Sequence, residues 1–205
     1  MGKEVEEKWG LKDWLVAIGL VACVVGVPFL SLYAYSGIMP PMMVVSSGSM
    51  THEDGPFGHV GSIETGDMII PKKVGFDDVI TWEEGRYETG YMTYGDFGDV
   101  IIYYKEDSRN NAPVIHRAIV RVDGERNVTV WNKLDHRAEI KIEESIYIGY
   151  YDVTITVYDP SGEPLDKKTK IPYPAHNNTL ITWGDNNRSP DPVIGISKPI
   201  GPDRF

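Results

Sequence analysis

The longest uninterrupted apolar stretch of the chain lies near its start. From Trp14 to Leu30 the residues read WLVAIGLVACVVGVPFL. Adding Ser31 to Ile38 gives about 25 positions without a charge, more than the roughly 20 that cross a hydrocarbon core. Residues 14–38 are therefore expected to form a transmembrane anchor behind a short leader, residues 1–13. Pro28 is tolerated in such a helix, where it introduces a kink. Trp14, Tyr33 and Tyr35 stand where interfacial aromatic residues stand. Lys3, Lys8 and Lys12 precede the span, and no Lys or Arg follows it until Lys72. That asymmetry places the N-terminus in the cytoplasm and the rest of the chain on the outer side, as a single-pass protein of the cell membrane. A cleaved signal peptide is the rival reading, because Ala34-Tyr35-Ser36 has a small-x-small pattern; the long charged leader and long apolar run favour a retained anchor.

After Pro40-Pro41 the pattern changes to short runs rich in Val, Ile, Tyr and Thr, bounded by Gly, Asp and Pro. The runs at 42–45, 67–71, 99–104, 114–122, 128–131, 146–151, 153–158 and 179–183 predict strands. No second helical period and no internal repeat accompanies them, so the exported body is expected to be mainly β. Residues 75–97, rich in Gly, Asp, Glu and Tyr, predict a surface excursion. Residues 123–175 place charged, Pro-bearing turns such as Asp159-Pro160-Ser161-Gly162 between good strands. They predict a β segment inserted into the main sheet, which then comprises residues 39–122 and 176–205.

Composition narrows the classes. Hydrophobic residues at 41% and charged residues at 24% describe an ordinary globular protein. A formal charge of -10 argues against nucleic-acid binding, which needs a basic stripe to neutralise phosphates. The single cysteine, Cys23, lies inside the apolar run, so no intramolecular disulfide forms and no Cys-rich zinc site exists. Nothing in the chain predicts a cofactor or a metal. Asn127, Asn177 and Asn187 each begin an N-x-S/T sequon, a pattern too short to assign modification by itself.

Three segments carry candidate chemistry. Ser46-Ser47-Gly48-Ser49-Met50 ends an apolar run, and Gly48 leaves room for a substrate carbonyl to approach Ser49 while Ser47 aims at the same point. A flexible Ser-Gly loop is the bland reading of this run alone. His116 differs from the other histidines because it sits in the apolar strand Val114–Val120, where a satisfied core histidine is the alternative. Thr182-Trp183-Gly184-Asp185-Asn186-Asn187-Arg188-Ser189-Pro190-Asp191 packs two carboxylates into a constrained turn after a strand. A serine hydroxyl needs a base within hydrogen-bond reach, imidazole takes a proton near neutrality, and a carboxylate fixes the ring tautomer and stabilises the imidazolium. One segment of each kind is present.

The Ser-Gly-Ser-Met run just after an N-terminal anchor, Gly66-Asp67-Met68-Ile69-Ile70, Gly98-Asp99-Val100-Ile101-Ile102, Ile115-His116-Arg117 and Gly184-Asp185-Asn186-Asn187 occur in order. The set resembles a type I signal peptidase of the archaeal and endoplasmic-reticulum (Sec11-like) branch, over the anchor, residues 42–122 and residues 179–195. The bacterial branch uses a serine–lysine dyad, and this branch has histidine where that lysine falls. The resemblance implies a signal-peptidase-like β-sheet catalytic domain in two parts around the inserted segment. It also implies a serine endopeptidase that cleaves signal peptides from exported preproteins, with Ser49 as nucleophile and His116 as general base. Asp191 matches the catalytic acid and Asp185 a second important aspartate. The Ser49 N–H and the Ser47 hydroxyl are candidate oxyanion-hole donors.

Ser49 lies about 11 residues beyond Ile38, within roughly 35 Å of the membrane even if the chain is extended. Met42, Val44 and Val45, with Met43, are expected to supply an apolar substrate floor, and a substrate added as a strand would present alternate side chains to shallow pockets. The implied partners are preproteins and the lipid bilayer, with the protein translocation machinery as a further candidate. The chain departs from the family where Thr51-His52-Glu53-Asp54 replaces an acidic residue and a proline, and in the longer interval from His116 to Asp191. It ends at Phe205, soon after the last motif, which leaves room for a further strand or span beyond it. A membrane-anchored extracellular β-rich binding module without catalytic activity fits composition and topology equally; it leaves the ordered motifs unexplained.

Overall fold

In the computed structural model the described residues are 10–52, 61–104, 112–144, 150–158, 160–162, 164–172 and 179–191. The apolar run forms one helix, α1 (Leu11–Ser36), about 39 Å long at 1.5 Å per residue. Asp13 accepts from the Gly10 N–H at 2.8 Å to cap its start. Gly37 ends it at φ 70°, a left-handed C-cap suited to glycine. The helix is long and apolar enough to cross a membrane, and it exposes Leu15, Val16, Leu20, Val24 and Leu30 around its circumference.

The chain divides into two compact units, Met1–Met43 with Ile70–Lys72, and Val44–Ile69 with Lys73–Phe205. The second is built of strands, as the β-branched runs predict. A short ladder joins β1 (Met43–Val44) to β2 (Met68–Ile69), extended by the Val45 N–H on the Asp67 carbonyl at 2.9 Å. Beyond β2, the predicted surface excursion holds ordered structure instead. Trp82–Glu84 forms one helical turn, α2, whose Thr81 and Glu84 cap each other, and Gly85–Thr89 continues it as a π-helical turn. β3 (Met92–Thr93) and β4 (Asp96–Phe97) then form a hairpin through Tyr94 and Gly95, both at positive φ as a type I′ turn requires. Trp82 inserts into the core and Phe97 packs against it, which explains the order. The low hydrophobicity of the segment concealed two aromatic anchors.

β5 (Val100–Tyr103), β6 (Val114–Arg121) and β11 (Leu180–Trp183) form an antiparallel sheet in the order β11-β6-β5. Between β6 and β11 the chain builds an antiparallel meander of β7 (Arg126–Trp131), β8 (Arg137–Glu144), β9 (Tyr150–Tyr158) and β10 (Pro164–Pro172). The two runs predicted at 146–151 and 153–158 meet here as one strand, Tyr150–Tyr158; residues 145–149 lie outside those described. Val128, Val130, Ala138, Ile140, Ile142, Val153, Ile155 and Val157 turn inward. They share one core with Ile119, Ile181 and Trp183 of the central sheet, so the meander backs the strands that carry the site.

Gly98 is the tightest point of this architecture. Its φ is 77°, and a Cβ there would lie 2.5 Å from the Trp82 N and 2.8 Å from the Thr81 carbonyl O. Gly98→Ala should therefore lower thermal stability by more than the roughly 1–2 kcal/mol of left-handed strain alone, because backbone must also move. A melting curve in detergent or lipid checks this, against Gly124→Ala, where a Cβ meets nothing within 4 Å.

Candidate active site

β6 is the middle strand of its sheet, and alternation along it sends consecutive side chains to opposite faces. His116 therefore shares a face with Val114 and Ala118, and through the register with Ile101 and Tyr103 of β5 and Thr182 of β11. Arg117 points to the other face, opposite Val100 and Trp183. A bulge between Ile181 and Thr182 sets this alignment. The His-Arg pair thus commits an imidazole to one side of the sheet and a guanidinium to the other.

On the imidazole side, His116 Nδ1 lies 2.5 Å from Asp191 Oδ2. The same oxygen accepts from Thr182 Oγ1 at 2.7 Å and from the Tyr103 hydroxyl at 3.0 Å. The Asp191 N–H donates to the Thr182 carbonyl at 2.8 Å, which fixes the aspartate beside β11. Burial alone would raise the Asp191 pKa. The hydrogen bond and charge of His116, helped by Thr182 and Tyr103, outweigh it and hold the carboxyl below its ordinary value. Burial, with the Asp191 charge behind it, pushes Tyr103 well above the usual phenol range, so it remains a donor. An ionised carboxylate only accepts, so Nδ1 carries a proton, and in the neutral ring the lone pair is on Nε2.

Ser49 reaches this lone pair's neighbourhood through Gly184. A Cβ built on Gly184 would lie 2.7 Å from the Ser49 carbonyl O, 2.9 Å from His116 Nε2 and 2.7 Å from Asn187 Nδ2. Only glycine lets these three groups converge. The turn that follows pins the serine loop: the Asn186 N–H donates to the Ser49 carbonyl at 2.8 Å, and its side-chain amide to the Gly48 carbonyl at 2.9 Å. Asn187 Nδ2 stands 3.4 Å from His116 Nε2, while its own carbonyl is held by Asn132 Nδ2 at 2.6 Å and Trp183 Nε1 at 2.9 Å. Ser47 Oγ and Ser49 Oγ are 3.5 Å apart, and Ser49 Oγ makes no hydrogen bond to His116. In unliganded enzymes a serine and its base often stand beyond hydrogen-bond reach and approach only when substrate binds. The Ser49 N–H bonds to no other described residue.

Asp185 serves a different partner from the one its turn suggests. A Gly-Asp-Asn-Asn turn would have its carboxylate accept backbone N–H groups; instead it takes Arg117 Nε at 2.9 Å and Nη2 at 2.6 Å in a bidentate pair. Arg117 Nη1 donates to the carbonyls of Thr93, Asp96, Phe97 and Gly98 at 2.9–3.3 Å. His52 Nε2 meets the Tyr94 carbonyl at 3.1 Å and lies 3.8 Å from Asp185 Oδ2. Arg117 and Asp185 are 1% and 3% exposed, so this is an ion pair buried in the protein.

The structure thus groups Ser49, His116, Asp191 and Ser47, and sets Asp185 behind the sheet as a brace. Of the expected substrate floor, Val44 is exposed, whereas Val45 is withdrawn into a cluster with Met50 and Ile63. Met42 lies in the other compact unit. The sequence assigns no role to Arg117, Asn186, Asn187 and Thr182, although they stand inside its motifs, nor to Tyr103. Arg117 left a signal, since a charge in the middle of an apolar strand needs a buried partner; Tyr103 left none. Among the described residues no three His, Cys, Asp or Glu side chains gather to hold a metal ion.

Compared with known proteins, the chain matches no family model, no curated protein and no solved structure.

The two aspartates should separate under the same substitution. Asp185→Asn leaves a buried guanidinium without its counter-charge and is expected to cost about 3–5 kcal/mol of stability. Asp191→Asn keeps its Thr182 and Tyr103 neighbours and costs less. It also removes acid sensitivity: the folded carboxyl titrates below the unfolded one, so its contribution is complete above about pH 3.9 and fades as pH falls through the folded pKa. Melting curves of both variants across acid pH check this, and equal losses would contradict the division of roles.

Proposed function

We propose that the chain is a membrane-anchored serine endopeptidase that cleaves signal peptides from exported preproteins, with its catalytic domain on the outer side of the membrane. The observation that carries the reading is the convergence around Gly184: the Ser49 backbone and His116 Nε2 meet at one point, and Nδ1 of the same ring rests on a buried carboxylate. A purely structural histidine needs neither an acceptor nitrogen facing a serine loop nor a carboxylate held by two further donors. The ordered resemblance to the histidine branch of type I signal peptidases supplies the substrate class, and the short tether between anchor and serine fits a substrate cut near the membrane.

In the reaction Ser49 Oγ attacks the scissile carbonyl carbon while His116 Nε2 accepts its proton. Asp191 stabilises the imidazolium across the 2.5 Å contact. The oxyanion that develops takes the Ser49 N–H and the Ser47 hydroxyl. Collapse breaks the C–N bond, and the imidazolium returns the proton to the leaving amine. Water activated by the same nitrogen then releases the acyl group from Ser49. Arg117 and Asp185 touch no reacting atom; they position the turn that holds Ser49.

A preprotein cleavage assay in lipid, with Ser49→Ala alongside, tests the proposal. Removal of a nucleophile should lower the rate by at least about 10³-fold while leaving membrane insertion and the melting temperature unchanged. A variant keeping more than about a tenth of the activity would exclude Ser49 as nucleophile. No cleavage by the unaltered protein would favour the binding-module reading.

A further inference from the structure

The aromatic surface at the end of β7 has no role in the chemistry above. Trp131 is 51% exposed, with the Arg137 guanidinium 5.9 Å from its ring centre, and Tyr87 is 64% exposed. Together with Trp82, Phe97, Arg86 and Lys133 they line a cleft of about 350 Å3. Aromatic walls with a few cationic groups suit a ligand that has one apolar face and a polar rim.

The strand leading to this cleft carries a second, independent feature. Asn127, Thr129 and Trp131 alternate along the outer face of β7, with Val128 and Val130 turned into the core. β7 is an edge strand, and Asn127 is exposed. Asn127-Val128-Thr129 is a complete glycosylation acceptor. Neither the Asn127 amide nor the Thr129 hydroxyl bonds to another described residue, so both are available to a transferase. The other two sequons differ. The Asn187 amide lies 3.4 Å from His116 Nε2, so a sugar on it would stand against that ring. Asn177 lies outside the described residues.

We propose that Asn127 bears an N-linked glycan whose proximal sugars run along the outer face of β7 and stack in the Trp131 cleft. In the transfer Asn127 Nδ2 displaces a polyprenyl phosphate from the anomeric carbon of a lipid-linked oligosaccharide. The C–O bond breaks, a C–N bond forms, and the amide proton leaves with the phosphate. Asn127 and Trp131 are about 13 Å apart at 3.3 Å per residue, a span that a short oligosaccharide covers. Pyranose C–H faces lie on Trp131 and Tyr87, and Arg86 and Lys133 donate to the hydroxyl or carboxyl groups at the rim. The glycan covers the exposed indole and shields the edge of β7 from pairing with another chain.

The proposal rests on export of this domain, which the proposed function also requires. The test expresses the full chain in a host that N-glycosylates on the export side. A second form carries a control sequon, Asp123→Asn with Glu125→Thr, in the exposed turn before β7. Glycopeptide mass spectrometry should find sugar at Asn127, lost in Asn127→Gln. Release by a peptide-N-glycosidase from the native protein should accelerate several-fold in Trp131→Ala. A modified control site beside a bare Asn127 overturns the proposal while leaving export intact, and two bare sites overturn both. Equal release rates from Trp131→Ala and the unaltered protein overturn the docking in the cleft.

Discussion

A buried guanidinium holds this protein's site together. Arg117 spends Nε and Nη2 on Asp185 and Nη1 on the carbonyls of the 93–98 hairpin. It thereby ties the turn after β11, 68 residues ahead of it along the chain, to the hairpin about 20 residues behind it. The desolvation of such a charge is recovered only when its donors and its counter-ion are all satisfied. The geometry of Gly184, Asn186 and Asn187 follows from that requirement, because the aspartate that neutralises Arg117 is the second residue of the same turn. Once that turn is fixed, the Ser49 carbonyl has a donor waiting for it.

The opposite face of the sheet solves a different problem. Asp191 must stay ionised in a pocket whose low polarity favours the neutral acid. Three donors converge on a single oxygen, two of them hydroxyls that carry no charge. They sustain the carboxylate without competing with His116 for a proton, and Tyr103 is held firmly protonated. The consequence is a ring anchored through Nδ1, whose Nε2 meets only the long 3.4 Å contact of the Asn187 amide. Because His116 and Arg117 are consecutive residues of one strand, the imidazole and guanidinium sides of the site are joined through a single peptide unit.

Much of this architecture was legible in the chain. The apolar run announced α1, and the β-branched runs announced the strands of the central sheet, because periods of hydrophobicity are local and survive without tertiary context. Ser49, His116, Asp191 and Asp185 were legible as chemistry by residue type, and the first three do gather at one place. β8 was missed although Ala138, Ile140 and Ile142 alternate with Glu139, Lys141 and Glu143; its charge masked a half-buried period. β10, lysine-rich, disguised an edge strand in the way edges are often protected. The Arg117 partner of Asp185 was not legible, because that contact is decided by which face of β6 each residue takes and by the bulge opposite it. Val45 was misjudged for the related reason that alternation buries one neighbour and exposes the next.

Activation of Ser49 by His116 can be measured by treating the protein in lipid with a peptide-based acylating inhibitor and locating the adduct by mass spectrometry. One adduct is expected, on Ser49, forming roughly 10²–10⁴-fold more slowly in His116→Ala. An adduct elsewhere, or one on Ser49 that forms at the same rate without the imidazole, would contradict it.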